Sequence, residues 1–161
     1  MARSSGWIVV VLAGLALGVR LLPVPDVLAE RGVRPFPDDA PYHVLRAADL
    51  VSGNAGLRDP DRRLSWPDGA VAHWPWGFDL IVAAAALPFG GPDAPLQEVA
   101  KPAAFVPPLL GALLVPLVFA AFAPVSGRRR ALATAGVVAI LPAHVDFSIV
   151  GRIDHHVLGG D

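Results

Sequence analysis

The chain has 161 residues, of which 54% are hydrophobic, with a mean hydropathy of +0.54 and a formal net charge of -1. So apolar a composition excludes an ordinary soluble domain, and the near-neutral charge offers no basic face for nucleic acid, so the partner we expect is a membrane. There is no cysteine, which leaves carboxylates and imidazoles to hold any metal.

The first apolar run, residues 6–24, follows a short polar start and contains one charge, Arg20. A basic start and an apolar core fit both a membrane helix and a secretory signal. Leu21-Leu22-Pro23-Val24 continue the run where the small residues of a cleavage site would stand, which favours the helix. Arg20 lies near the far end and is expected to extend its head group to the interface while its stem stays in lipid.

Residues 25–102 are read as an outer loop. Pro35, Pro37, Pro41, Pro60 and Pro67 break any long helix in its first part. Within it, residues 42–51 lack proline and glycine and place Val44, Leu45, Ala48 and Val51 at helical spacing, which predicts a short amphipathic helix just after Pro41. Asp39 then stands at or before a helix N-terminus, where an acidic residue is an ordinary cap. Residues 78–89 are apolar, but short for a span, contain Asp79 and follow the interfacial cluster His73-Trp74-Pro75-Trp76.

Residues 103–125 and 131–150 are each long enough to cross a bilayer, and their prolines are tolerable where neighbouring helices re-satisfy the freed carbonyls. Between them Arg128-Arg129-Arg130 form the densest positive cluster in the chain, which belongs in the cytoplasm. If residues 78–89 lie on the surface or re-enter, that cluster is inside, and Asp39 and Asp154 share the outer face with residues 151–161 as a second outer loop. A charged Asp79 at mid-bilayer would cost roughly 2.5–3.5 kcal/mol, which favours the same arrangement.

Two clusters could carry chemistry. Gly151-Arg152-Ile153-Asp154-His155-His156 follows the last apolar run directly, and a bent segment there can aim Asp154 and His156 at one ion. An oxygen and an imidazole suit Mn²⁺ or Mg²⁺, with Zn²⁺ less suited to so carboxylate-rich a site. Asp38 and Asp39, upstream, would supply further carboxylates on the same face. Tyr42, His43, Arg46 and Arg152 lie close enough in sequence to contact a substrate, and Arg46 could bind phosphate. From the residues alone, a solvated helix end and a plain N-cap remain open for the two clusters.

The ordered combination is more specific than either motif. Asp39-Ala40-Pro41-Tyr42-His43 with Arg46 resembles the first acidic motif in the outer loop of the oligosaccharyltransferase catalytic subunit family. Ser65-Trp66-Pro67-Asp68-Gly69 followed by His73-Trp74-Pro75-Trp76 is similar to the stretch that closes that loop, and residues 151–156 resemble its second acidic motif in the archaeal-type Asp-x-His form. The Asp-His-His triplet also resembles a signature of soluble metal-dependent phosphoesterases, but there it follows a buried strand and not an apolar run of membrane length.

The resemblance implies an all-α, polytopic transmembrane fold of the C-type glycosyltransferase kind. It implies transfer of a glycan from a lipid-linked phosphate or pyrophosphate donor to an asparagine of an acceptor polypeptide. Asp39, Asp154 and His156 would ligate Mn²⁺ or Mg²⁺, Asp39 and Asp154 would be catalytic, and Tyr42, His43, Arg46 and Arg152 would face substrate. The chain would be the N-terminal portion of a multi-pass cell-membrane enzyme with its site on the outer face, inactive alone. The family often has arginine where this chain has Phe147. Alternatives are another C-type membrane glycosyltransferase, of the O-mannosyl or lipid A type, and a non-catalytic membrane subunit or remnant.

Overall fold

The computed structural model describes residues 4–29, 32–36, 38–91 and 93–158; the end of the expected second outer loop, 159–161, lies outside them. Helix α1 (Ser4–Arg20) is followed by one further turn, α2 (Val24–Val27), which Pro25 is suited to begin. A minimal hairpin comes next, β1 (Leu28–Ala29) antiparallel to β2 (Gly32–Val33), with Leu28 opposite Val33. The rest is helical: α3 (Ala40–Ser52), α4 (Trp76–Ala86), α5 (Leu96–Ser126), α6 (Arg128–Ile140) and α7 (Pro142–Asp146), closed by a 3₁₀ turn at His155–Leu158. The fold is thus mostly helical, with the hairpin as a small addition to the expected all-α class.

Helix α5 organises the molecule. At 31 residues it is about 46 Å long, more than the roughly 30 Å of a bilayer core. Its N-terminal half packs α3 and α4 through Val99, Ala100, Ala103 and Ala104, in a core that also holds Val44, Phe78, Val82 and Ile153. Its C-terminal half packs α1 and α6, where Ala16, Val115, Ala135 and Ala139 let the backbones approach closely. Two stretches are long and apolar enough to cross a membrane, Gly6–Val27 and Leu96–Ser126. Both present large apolar side chains outward: Trp7, Val10 and Leu15 on one, Leu109, Leu113 and Leu117 on the other.

The five prolines inside α5 do not interrupt it, but each removes a backbone donor. Pro108 leaves the carbonyl of Ala104 without its helical partner, and that carbonyl accepts the N–H of Gly151 at 3.0 Å. A proline deep in one helix thereby anchors the segment that leads to Asp154.

The expected membrane segment 131–150 is not a single helix. It is helical to Ile140, and Leu141 then takes an extended conformation (φ -58°, ψ 118°), as a residue before proline prefers. One more turn, α7, precedes a fold-back over residues 147–151.

Arg20 also departs from expectation. It is fully buried and does not reach an interface. Its Nε donates to Ser148 Oγ at 2.7 Å, and its Nη1 donates to the carbonyls of Ala16 (2.9 Å) and Ala139 (3.0 Å). The Ala139 carbonyl lies in the last turn of α6, where the break at Pro142 leaves carbonyls unpaired and a cation is favoured. Gly111 makes room for this head group, since a Cβ there would stand 2.6 Å from both Arg20 Nε and Ser148 Oγ.

Candidate functional site

The segment 151–156 lies against the loop that precedes α3. Gly151 makes the turn at φ +83°, its N–H bonded to Ala104 and its carbonyl accepting the N–H of Phe36 at 3.1 Å. Its missing side chain also matters, because a Cβ would meet Val27 Cγ1 at 2.8 Å. Arg152 ties the same two segments together, pairing with Asp38 and with Asp146 at 3.1 Å each, while its guanidinium lies 4.9 Å from the Phe147 ring centroid. Two acidic stretches more than a hundred residues apart are therefore neighbours.

Asp154 is 2% exposed, and its Oδ1 is a hub: it accepts from His156 Nδ1 at 2.7 Å and from the His156 backbone N–H at 3.2 Å, with His155 Nδ1 3.1 Å away. Burial alone would raise its pKa. The hydrogen bonds from His156, with the charge of both imidazoles, outweigh that and bring it below the usual carboxylate value.

Behind Asp154 runs a buried line of polar groups. His43, fully buried on α3, places Nε2 3.3 Å from His155 Nδ1, and its Nδ1 lies 2.5 Å from Oδ1 of Asp79 on α4. Asp79 is 1% exposed and hydrogen-bonded to that imidazole, so its place in an apolar helix is matched by a buried partner. Aromatic rings enclose this line: Phe78 packs edge-on against His43, and Trp74 stacks on His155 at 5.9 Å. His43, Asp154 and His155 each offer one ligand atom, and these atoms all lie within 4.8 Å of one another, a spacing one metal ion could bridge.

Asp39 stands at the N-terminus of α3 without capping it: its side chain makes no cap hydrogen bond, and it is exposed. Its carboxylate is thus not engaged by the helix, unlike a plain N-cap. His156 is partly exposed and stacks on Phe147 at 5.3 Å. An open apolar groove of about 450 Å³ runs between α5 and α7, lined by Leu110, Leu113, Leu117, Leu141 and Phe147, with His156 in its wall.

Three of the residues expected to face substrate make contacts within the chain. Arg46 is 2% exposed, its Nη2 donating to the carbonyls of Gly56 (2.9 Å) and Leu57 (2.8 Å), so it holds the loop after α3. Tyr42 donates its hydroxyl to Asp61 at 3.0 Å, and burial together with that carboxylate pushes its pKa up. Arg152 is held between two carboxylates and acts as a tie. The sequence reading missed His155 and Asp79. The available signal for both was a charge or imidazole beside an apolar run, where only a partner makes burial tolerable.

No family model matches the chain. It is 29% identical over 144 residues to dolichyl-phosphooligosaccharide-protein glycotransferase 1 of Archaeoglobus fulgidus, a match that covers 89% of this chain and 23% of that protein. Its fold superposes on archaeal oligosaccharyltransferase AglB from A. fulgidus in complex with an inhibitory peptide and a dolichol-phosphate, with a TM-score of 0.84, 21% identity, and coverage of 98% of this chain and 18% of that one. The A. fulgidus oligosaccharyltransferase in complex with Zn and sulfate matches with a TM-score of 0.82 and 23% identity over 94% of this chain and 19% of that one. The chain thus spans about a quarter or less of the length of the proteins it matches. The chain is therefore similar in sequence to part of an archaeal glycotransferase, and its fold is that of part of the A. fulgidus oligosaccharyltransferase.

Proposed function

We propose that this chain is the part of a membrane oligosaccharyltransferase that carries two of its acidic motifs, and that the whole protein transfers a glycan from a lipid-linked phosphate or pyrophosphate to an acceptor asparagine. The observation that carries this reading is the docking of residues 151–156 against the loop before α3, within a fold shared with proteins of that activity. That relationship favours oligosaccharyl transfer over the other C-type transferases.

The residues fit a divalent cation: Asp154 is buried and fixed by its neighbours, Asp39 is not engaged as a cap, and imidazole nitrogens face the same carboxylate. Asp39, Asp154 and His156 would hold Mn²⁺ or Mg²⁺, which when bound stabilises negative charge on the departing phosphate. The chain's own groups do the positioning. Asp39 accepts a hydrogen bond from the acceptor amide and orients its nitrogen for inverting attack. The N–C bond forms at the anomeric carbon as the C–O bond to phosphate breaks, the phosphate leaves with the electron pair, and the proton the nitrogen loses passes to the Asp39 carboxylate. The apolar groove beside His156 suits the hydrocarbon of the donor, with its phosphate end toward Asp154. In this reading the chain is polytopic and inserted in the cell membrane, with Arg128–Arg130 inside and the site outside.

The test is transfer by the full-length protein from a dolichol-linked donor to a peptide containing Asn-Val-Thr, together with its Mn²⁺ affinity. Asp154→Ala should lower both, turnover by about 100-fold or more. Wild-type turnover and affinity in that variant would remove the metal-centre reading.

A further inference from the structure

Arg20 lies in the apolar stretch Gly6–Val27 and is 0% exposed. Its side-chain partners among the described residues are neutral: the Ser148 hydroxyl and the carbonyls of Ala16 and Ala139, with Nη2 left without an acceptor. A cation buried at membrane depth is costly even where carbonyls receive it, so what the head group holds in place has to offset that cost. Neither acidic motif includes this residue.

What it holds is the break in the third apolar segment. Had α6 run on as a straight helix to Val150, those ten residues would have advanced the chain about 15 Å along the axis, and residues 151–156 would lose their bonds to Ala104 and Phe36. Instead the helix stops before Pro142 and the chain folds back, which strips acceptors at the break of their helical donors. Arg20 supplies replacements. Its Nη1 donates to the Ala139 carbonyl in the last turn of α6, and its Nε donates to the buried Ser148 Oγ, which in turn donates to the His144 carbonyl of α7. A planar guanidinium can serve both directions at once. The backbone carbonyl of Arg20 also accepts the Val150 N–H at 3.0 Å. One residue of α1 therefore grips the returning chain at 139, 148 and 150, immediately before the turn at Gly151.

We propose that Arg20 is a positioning residue for Asp154: its buried head group keeps residues 139–150 folded back and so sets the register at which 151–156 meet the loop before α3. This rests on the metal-centre reading above and deepens it, since Asp154 is the ligand so placed. Ser148 is the relay. A hydroxyl has a single proton, and an N–H donated to its oxygen turns that proton toward the His144 carbonyl. A residue that only joined α1 to α6 would act on stability and leave the ligand geometry of the folded protein as it was.

The probes are Mn²⁺ binding to the full-length protein in detergent and, in the metal-free protein, hydrogen exchange across residues 148–154. Arg20→Gln should weaken Mn²⁺ binding by about 10-fold, the lower end for groups that orient a ligand from outside the coordination shell, and should speed exchange. Arg20→Lys, with one nitrogen for two acceptors, should fall between. Ser148→Ala should cost less affinity in Arg20→Gln than in wild type, because the relay is already broken there. Wild-type Mn²⁺ affinity in Arg20→Gln, with binding lost in Asp154→Ala, would overturn the positioning role whatever the melting temperature and leave the metal centre standing. Wild-type affinity in Asp154→Ala would overturn the metal-centre reading instead, and exchange then decides for Arg20: unchanged rates in Arg20→Gln overturn its hold on the segment. If Arg20→Gln does not fold, Ser148→Ala carries the test, because it removes one oxygen and the same relay. Wild-type affinity and exchange in that variant overturn the proposal.

Discussion

Gly151 is the residue on which the site turns, for three separate reasons: a left-handed φ, a close approach to Val27, and two backbone hydrogen bonds to different parts of the chain. Gly151→Ala meets both the left-handed penalty of roughly 1–2 kcal/mol and an overpacking penalty of similar size. We expect a lower melting temperature in detergent together with weakened metal binding; a melting temperature equal to wild type would contradict the close approach. That Asp154 would be held by its neighbours was legible at this scale, because a carboxylate between an apolar run and two imidazoles needs partners. The buried pair behind it was not. His43 and Asp79 are 36 residues apart, and no local periodicity records that α3 and α4 bring them to 2.5 Å.

Among the elements, α3 was the most readable: its apolar spacing and Pro41 predict a helix over 42–51, and the helix runs from Ala40 to Ser52. What its polar face does was less readable. Arg46, Tyr42 and Asp49 fasten the loop after α3, the last two through Asp61 and Arg63. The Arg63 guanidinium on Asp61 holds that carboxyl at about 2, against an ordinary 3.8. A depressed folded-state pKa gives stability that is complete above about pH 4 and is lost as pH falls toward 2, on the order of 2 kcal/mol. Proteolytic cleavage within residues 53–75 should therefore accelerate between pH 4 and pH 2, whereas Asp61→Asn should be cleaved faster at pH 7 and show little further change over that window. Equal protection of both proteins at pH 7 would remove this ion pair as the fastening. The break in the third apolar segment had a visible signal in Pro142. Because prolines in α5 leave that helix intact, the residue type alone could not say which proline would end a helix.

For the whole molecule, hydropathy gave the two long stretches, but the lengths of elements did not follow from it, since α5 begins well before its apolar core and is shared between two packing cores. Orientation is open to a direct check because the chain has no cysteine, so single-cysteine variants report sidedness without background. In intact cells, a membrane-impermeant maleimide should label Asn54→Cys and leave Ser126→Cys unlabelled until the membrane is permeabilised. The reverse pattern would invert the topology and put the site on the cytoplasmic face.

The bond from Gly151 to Ala104 carries a further consequence for how this chain can change. Pro108→Ala introduces a strong helix former and restores a donor for the Ala104 carbonyl, so by propensity alone it should strengthen α5. Here the new N–H competes for the acceptor that fixes residues 151–156. Rigidity of the long helix and registration of residues 151–156 are in opposition at this one position, so a change that favours thermal robustness would work against the placement of Asp154.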